Sequence, residues 1–334
     1  MRTGVLLVNL GTPNSPSTAD VRTYLSEFLN DPRVIDIPMI LRKLLVNLII
    51  VPFRSPKSAK IYQKLWTKDG SPLLIHGNAV KEKLQQSLSN EYEVFLAMRY
   101  QNPSLDTVLA VMQKRNFDKV IVLPLFPQYA SSSTGSALEK VMQIISKWYV
   151  IPELKFISQY YNAPGYIQAF AERGKQYNLA EYDHILFSYH GLPVRQVDKV
   201  YGDSPCSEHH CEDHIDDDNK FCYKATCYET TRLIAKQLNL KPEQYSVAFQ
   251  SRLDKKWLEP FSDKVVIHKA KEGAKKMLVF SPAFVADCLE TTIEIGEEYN
   301  ELFKEHGGEK VQLVESLNDH PIWINTLKQL VEKN

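Results

Sequence analysis

Residues 185–193 read Ile-Leu-Phe-Ser-Tyr-His-Gly-Leu-Pro, a short apolar run that stops at a histidine before a glycine and a proline turn the chain. Such a run, bounded by turn formers, is the pattern of a strand buried on both faces of a sheet. Five others resemble it: VLLVNL from Val5, VFLAMRY from Val94, VIVLPLF from Val120, VAFQS from Val247 and MLVFSPAF from Met277. Between them, apolar residues recur at three and four over Ser104–Lys114, Ser136–Trp148, Tyr228–Leu238 and Asp287–Phe303, which places them on single helix faces. Strands alternating with helices predict an α/β fold of doubly wound parallel sheets.

A chain of 334 residues can bury two cores. A second series of strands opens near His184, so the division is expected between residues 158 and 178. The expected organisation is a lobe over 1–165, a second lobe over 166–316 with a Cys-rich insert at 203–227, and a closing helix within 317–334. No repeat of fixed period is visible.

Forty basic residues balance forty acidic ones, which argues against a nucleic-acid partner and favours a small, weakly charged one. The opening MRTGVLLVNLG lacks the basic, apolar and small-residue succession of an export signal, so a cytoplasmic protein is expected. Residues 38–53 form the most apolar window, but Arg42, Lys43 and Asn47 interrupt it and it is shorter than the roughly 20 residues a membrane span needs. It suits either the surface of a membrane or the core face of an amphipathic helix. Neither G-x-G-x-x-G after the first strand nor G-x-x-x-x-G-K is present, which removes the common phosphate-cradling loops.

Ligands of open α/β sheets bind beyond the carboxyl ends of the strands. Here those ends carry Asn9 to Pro13, Arg99-Tyr100, Pro127-Gln128-Tyr129, and Ser188 to Pro193 with His190 at the turn. The last run leads into Asp287, Glu290 and Glu294, whose spacing predicts three carboxylates on one helix face. Neutral imidazole and ionised carboxylate are both bases and ligands for a first-row divalent ion. His190 with this acidic track is therefore the candidate site.

VNLGTP, YLSEFLNDPRVID, GSPL at Gly70–Leu73, PLFPQY, FSYHGLP, FQSR with the following Trp257, and FVADCLET stand together in the order of the ferrochelatases, and the chain resembles that family over nearly its whole length. The resemblance implies two Rossmann-like lobes, each a four-stranded parallel sheet flanked by helices, with a porphyrin cleft between them. It implies insertion of Fe2+ into a porphyrin with release of two protons, His190 and Glu290 being the catalytic and iron-binding pair and Asp287 and Glu294 extending the acidic path. It assigns porphyrin contacts to Tyr62, Ser71, Arg99, Tyr100, Tyr129 and Trp257. Where many members have a histidine, this chain has Cys288. Asn14 follows Gly-Thr-Pro where users of coproporphyrin III tend to have tyrosine, which favours protoporphyrin IX.

Cys206, Cys211, Cys222 and Cys227 follow the pattern C-x4-C-x10-C-x4-C. Four thiolates suit Zn2+ or an iron–sulfur cluster, with His209, His210 and His214 as alternative ligands. Some bacterial ferrochelatases resemble this chain in having a Cys-rich insert that binds a [2Fe–2S] cluster, which favours the cluster. Three other readings stand beside the ferrochelatase one: a chelatase for another divalent ion, a glycosyltransferase with two Rossmann-like lobes, and a non-catalytic haem or metal carrier. The glycosyltransferase leaves the acidic track unexplained, and a carrier needs no relay of proton acceptors. Nothing in the sequence fixes an oligomeric state.

Overall fold

All six apolar runs form strands, and two further strands complete the sheets. The computed structural model describes residues 1–202 and 204–334; Asp203, the first residue of the expected insert, lies outside the described residues. The strands are β1 (Thr3–Gly11), β2 (Tyr92–Tyr100), β3 (Lys119–Pro124), β4 (Glu153–Phe156), β5 (His184–His190), β6 (Tyr245–Gln250), β7 (Lys276–Phe280) and β8 (Lys310–Leu313). They make two four-stranded sheets, ordered β2-β1-β3-β4 and β6-β5-β7-β8, and every pairing is parallel. The sheets are flanked by helices, as expected. β4 and β8 leave little sign in the sequence, being edge strands of four residues, the first with no buried position and the second with one, Val311.

The chain divides into two units, one of residues 1–126, 130–158 and 324–334, the other of 127–129 and 159–323. The division thus falls at Ser158, seven residues before the expected 165, and most of the closing helix Pro321–Glu332 belongs with the first unit. In the first unit Leu6, Val8, Val120 and Val122 pack on Leu109 and Val141. In the second, Leu186, Val279 and Met277 pack on Val266, Ile295 and Phe303. Each such side chain, taken wholly from water, contributes about 1.5–3 kcal/mol.

The helices run close to their predicted bounds. Ser104 caps Leu105–Lys114, its Oγ accepting from Thr107 N at 3.2 Å. The helix expected over Tyr228–Leu238 starts earlier and runs Tyr223–Gln237. The single helix expected over Asp287–Phe303 is replaced by a π-helix, Glu290–Tyr299, continued by an α-helical turn over Asn300–Glu305.

Residues 39–65 are helical throughout, with a π-helical stretch at Leu45–Ile50. Their apolarity is inverted at the start. Ile40, Leu48 and Phe53 are 70%, 66% and 74% exposed, while Arg42 is buried and donates from Nη1 to the carbonyls of Ile37 (2.9 Å) and Ile35 (3.3 Å).

Although no sequence repeat is visible, the two sheets share order and finish. A non-glycine residue in the left-handed region follows β2 and β6, Gln101 with φ 64° and Ser251 with φ 60°. Met98 N then donates to Pro103 O at 2.7 Å, and Phe249 N to Pro260 O at 2.8 Å.

Buried His184 starts β5, with Nε2 2.8 Å from Ser246 Oγ. Burial pushes its pKa down from 6.5 to about 4, the charge of Lys269 adding to the effect. Below pH 6.5 the unfolded chain takes up a proton that the folded chain refuses, so stability is present above that pH and is lost as the pH falls toward 4. His184→Gln should flatten this fall by about 2–3 kcal/mol, as measured by urea denaturation at neutral and acid pH; parallel curves for the two proteins would exclude the cause.

Candidate active site

β5 carries His190 to its carboxyl end because the strand's six preceding residues are buried. There the ring's Nδ1 lies 2.7 Å from Gly191 O. A carbonyl only accepts, so Nδ1 holds the proton and Nε2 keeps the basic lone pair. The ring lies between Trp257 and Phe284, with centroids 6.4 and 6.3 Å away, and Tyr223 donates from its hydroxyl to His190 O at 2.9 Å. Gly191 is required sterically: a Cβ there would come within 2.8 Å of Gln250 O, to which Gly191 N donates.

His190 pairs in register with Gln250 at the end of β6. Gln250, 1% exposed, makes three bonds: Oε1 accepts from Ser188 Oγ at 2.7 Å, and Nε2 donates to Glu290 O at 3.0 Å and to Glu294 Oε2 at 3.2 Å. Glu294 also accepts from Ser251 N (3.0 Å), Ser251 Oγ (2.5 Å) and the Tyr299 hydroxyl (3.2 Å). It is thus a carboxylate fixed by four donors. The carboxylate of Glu290 instead faces the Cys288 thiol, which burial first, and then that carboxylate's charge, push well above the usual range. Cys288 remains a protonated donor where many ferrochelatases place an imidazole.

Asp287 precedes the helix instead of sharing its face. Its oxygens accept from Asn318 Nδ2 (2.7 Å), Thr291 Oγ1 (3.2 Å) and Ser316 N (3.3 Å), so the segment Ser316–Asn318, distant in sequence, holds it there together with Thr291. The predicted stripe assumed α-helical spacing throughout, and the wider π turn, with its i→i+5 bonds, breaks that assumption. Among the described residues, no three of His190, Asp287, Glu290 and Glu294 gather closely enough to hold one ion together.

The residues matched to porphyrin contacts differ in what they touch. Half-buried Tyr62 meets Tyr24 and Trp66 edge-on, at 6.3 and 6.5 Å. Ser71 is buried, sharing a 2.9 Å hydroxyl bond with Thr12. Arg99 and Tyr100 turn to Asp31: its Oδ2 accepts from Arg99 Nη2 (2.6 Å), the Tyr100 hydroxyl (2.8 Å) and Ser136 Oγ (2.6 Å). Burial acts to raise the Asp31 pKa, but the bonds from Ser136, Arg33 N and Tyr100, with the Arg99 charge, outweigh it and hold the carboxyl below its ordinary value. Tyr129 and Trp257 are half-buried. Sequence reading passed over Gln250, Tyr223, Phe284 and Asp31. Gln250 closes a strand and was open to the strand-end rule that found His190; Asp31 carries no such signal.

Of the four clustered cysteines the structure gathers three. Sγ–Sγ distances are 3.4 Å (Cys206–Cys211), 3.5 Å (Cys206–Cys222) and 3.6 Å (Cys211–Cys222), and all three residues are buried. Hydrogen bonds from Cys206 and Cys211 hold the Cys222 thiol well below its ordinary pKa, and the same contacts push Cys206 up. Cys227 is not in this group; it is buried in the helix Tyr223–Gln237, beside the Tyr223 hydroxyl. His209 is stacked on Tyr201, and His210 and His214 pair with Asp213 (3.6 Å) and Asp216 (3.1 Å). A [2Fe–2S] cluster takes two protein ligands on each iron, in the all-cysteine form four thiolates. The triangle of three thiols, with Cys227 elsewhere, does not fit that four-cysteine form.

The fold is shared with solved structures: SirB from Bacillus subtilis with Fe3+ superposes with a TM-score of 0.57, at 13% identity, over 100% of this chain and 95% of that one. A second structure, sirohydrochlorin chelatase SirB from Bacillus subtilis subspecies spizizenii in complex with cobalt, gives 0.56 at 12% identity, over 100% and 95%. Within that fold the sequence is specific. The ferrochelatase family model matches residues 2–334, and the chain belongs to the ferrochelatase family. The ferrochelatase of Legionella pneumophila strain Philadelphia 1 is 46% identical over 334 residues (100% of this chain, 99% of that one), and that of Coxiella burnetii strain Dugway 5J108-111 is 45% identical over 339 (99% and 93%).

Gln250→Leu leaves Ser188 and Glu294 each one partner short and should destabilise the protein by about 1–3 kcal/mol, read by urea denaturation. It should also lower metal insertion more than porphyrin binding. An unchanged denaturation midpoint would show that the amide holds nothing.

Proposed function

We propose that the chain inserts Fe2+ into protoporphyrin IX, forming protohaem and releasing two protons, with His190 as the base. The observation that carries the reading is the 2.7 Å contact of His190 Nδ1 with Gly191 O, which leaves Nε2 as the basic nitrogen. General-base catalysis by a residue so placed typically contributes about 10²–10⁴-fold. Two pyrrole N–H bonds break; Nε2 takes one proton, and a carboxylate of the Asp287, Glu290 and Glu294 set takes the other. Iron is substrate here. The dispersal of the carboxylates supports a relay of weak sites over one tight site, since an ion held by a closed ligand set would not leave for the porphyrin. Trp257 and Phe284, flanking the ring of His190, offer apolar surface to a macrocycle.

Glu290 and Glu294 divide by their surroundings. Four donors hold Glu294 still, so it anchors the helix. Glu290, facing a protonated thiol, is the carboxylate set to exchange ions or protons. Tyr62, Ser71, Arg99, Tyr100 and Tyr129 are assigned to the porphyrin through packing, since the polar atoms of Ser71, Arg99 and Tyr100 are engaged within the protein. Asn14 supports protoporphyrin IX as substrate; its amide bonds to Gln101 Oε1 (3.1 Å) and Asn102 Nδ2 (3.0 Å).

The exposed apolar side chains of residues 39–53 support contact with a membrane surface. Among the described residues no helix is long and apolar enough to cross a membrane, whereas a face carrying Ile40, Leu44, Leu48, Ile49 and Phe53 in water suits interfacial burial. For the cysteine insert a [2Fe–2S] cluster, Zn2+ or unliganded thiols were expected; the triangle of thiols favours a single ion.

His190→Ala should lower anaerobic haem formation by at least about 10²-fold while porphyrin binding, followed by fluorescence titration, is kept; full turnover in the variant would refute the assignment. Ile40→Glu with Phe53→Glu should abolish co-flotation with phospholipid vesicles without changing turnover of detergent-dispersed porphyrin. Equal flotation of the two proteins would exclude this face.

A further inference from the structure

The three thiols of Cys206, Cys211 and Cys222 are brought together from three separate segments. Cys206 opens a short helical turn and has its N–H on Asp198 Oδ1 at 2.9 Å; Cys211 lies five residues on; Cys222 immediately precedes the helix Tyr223–Gln237, its N–H on Asn219 O at 2.8 Å. They are 3%, 0% and 0% exposed, and none is in a disulfide. Three separate thiols do not converge at 3.4–3.6 Å in a loop of polar residues for the sake of hydrophobic packing. An ion bound tetrahedrally by thiolate at about 2.3 Å sets its ligand sulfurs about 3.8 Å apart, close to this triangle.

We propose that Cys206, Cys211 and Cys222 bind one thiophilic divalent ion, Zn2+, as a three-thiolate site in which Cys227 takes no part. The Tyr201 hydroxyl, 3.0 Å from Cys211 Sγ, stands by the fourth corner. The histidines of the insert are engaged elsewhere: Nε2 of His209 lies 2.6 Å from Ser204 Oγ, and His210 and His214 face carboxylates. On binding, the S–H bonds that remain among the three sulfurs break, their protons pass to solvent and the ion sheds its water; no electron moves, so no oxidant is needed. Binding therefore tightens as pH rises. The ion ties residues 206–211 to Cys222, just before the helix whose first residue, Tyr223, holds His190 O. The inference is independent of which porphyrin the enzyme uses.

The test is metal and sulfide analysis of the full-length protein purified anaerobically from cells supplied with zinc and iron. One zinc per chain, no acid-labile sulfide and no visible absorption are expected, with zinc lost in Cys206→Ser, Cys211→Ser and Cys222→Ser and kept in Cys227→Ser. Should the serine variants fail to fold, Co2+ added to the metal-free wild type should give thiolate-to-cobalt charge transfer and tetrahedral ligand-field bands, with protons released on binding. Two irons and two sulfides per chain, or zinc lost in Cys227→Ser, would overturn the three-thiol site. So would a wild type that retains no zinc and gives no thiolate–cobalt spectrum.

Discussion

One primary amide joins the second sheet to its acidic helix. A glutamine in the core must satisfy both ends of its side chain, since a buried polar group left alone costs about 1–3 kcal/mol. Gln250 does so only if Ser188 of the neighbouring strand and Glu294 of the π-helix are both in place. Parallel pairing then sets His190 beside it in register. The positions of His190 and of the Glu294 carboxylate are in this way one constraint, propagated through three elements, and Gly191 is the residue small enough to let the strands meet there.

The first unit uses the same logic without the reactive groups. Asp31 is buried because three donors converge on one of its oxygens, and those donors come from β2 and the helix Ser136–Ile145. Arg99 and Tyr100 keep the end of β2 stiff, and their charge and hydroxyl are spent within the protein.

The fold was legible because buried parallel strands are written as uninterrupted apolar runs, each ended by glycine, proline or a polar residue. His190 was legible for the same reason, standing where such a run stops. The edge strands were not, since four residues with at most one of them buried look like loop. The acidic track was read only in part: spacing showed that Glu290 and Glu294 are near each other, but not that the helix is π-helical or that Asp287 stands before it. Nor could spacing show which cysteines meet. Cys222 and Cys227 are equally far apart in sequence as Cys206 and Cys211, yet a helix begins between the first pair and carries Cys227 into the core. Tertiary placement decided that, and no local pattern records it.

The shared finish of the two sheets allows position-by-position comparison. Met98 and Phe249 make the same return bond to a proline carbonyl, and their strand partners are Asn9 and Tyr189. One residue further on, Leu10 therefore occupies the place of His190, and Arg99 that of Gln250. Both of the latter grip a carboxylate, Asp31 in one copy and Glu294 in the other. The two sheets are thus built to one plan, and at the equivalent strand end one carries an aliphatic group, at residue 10, and the other an imidazole, at residue 190. The same backbone can therefore present an apolar group or a proton acceptor at that point without any change of register.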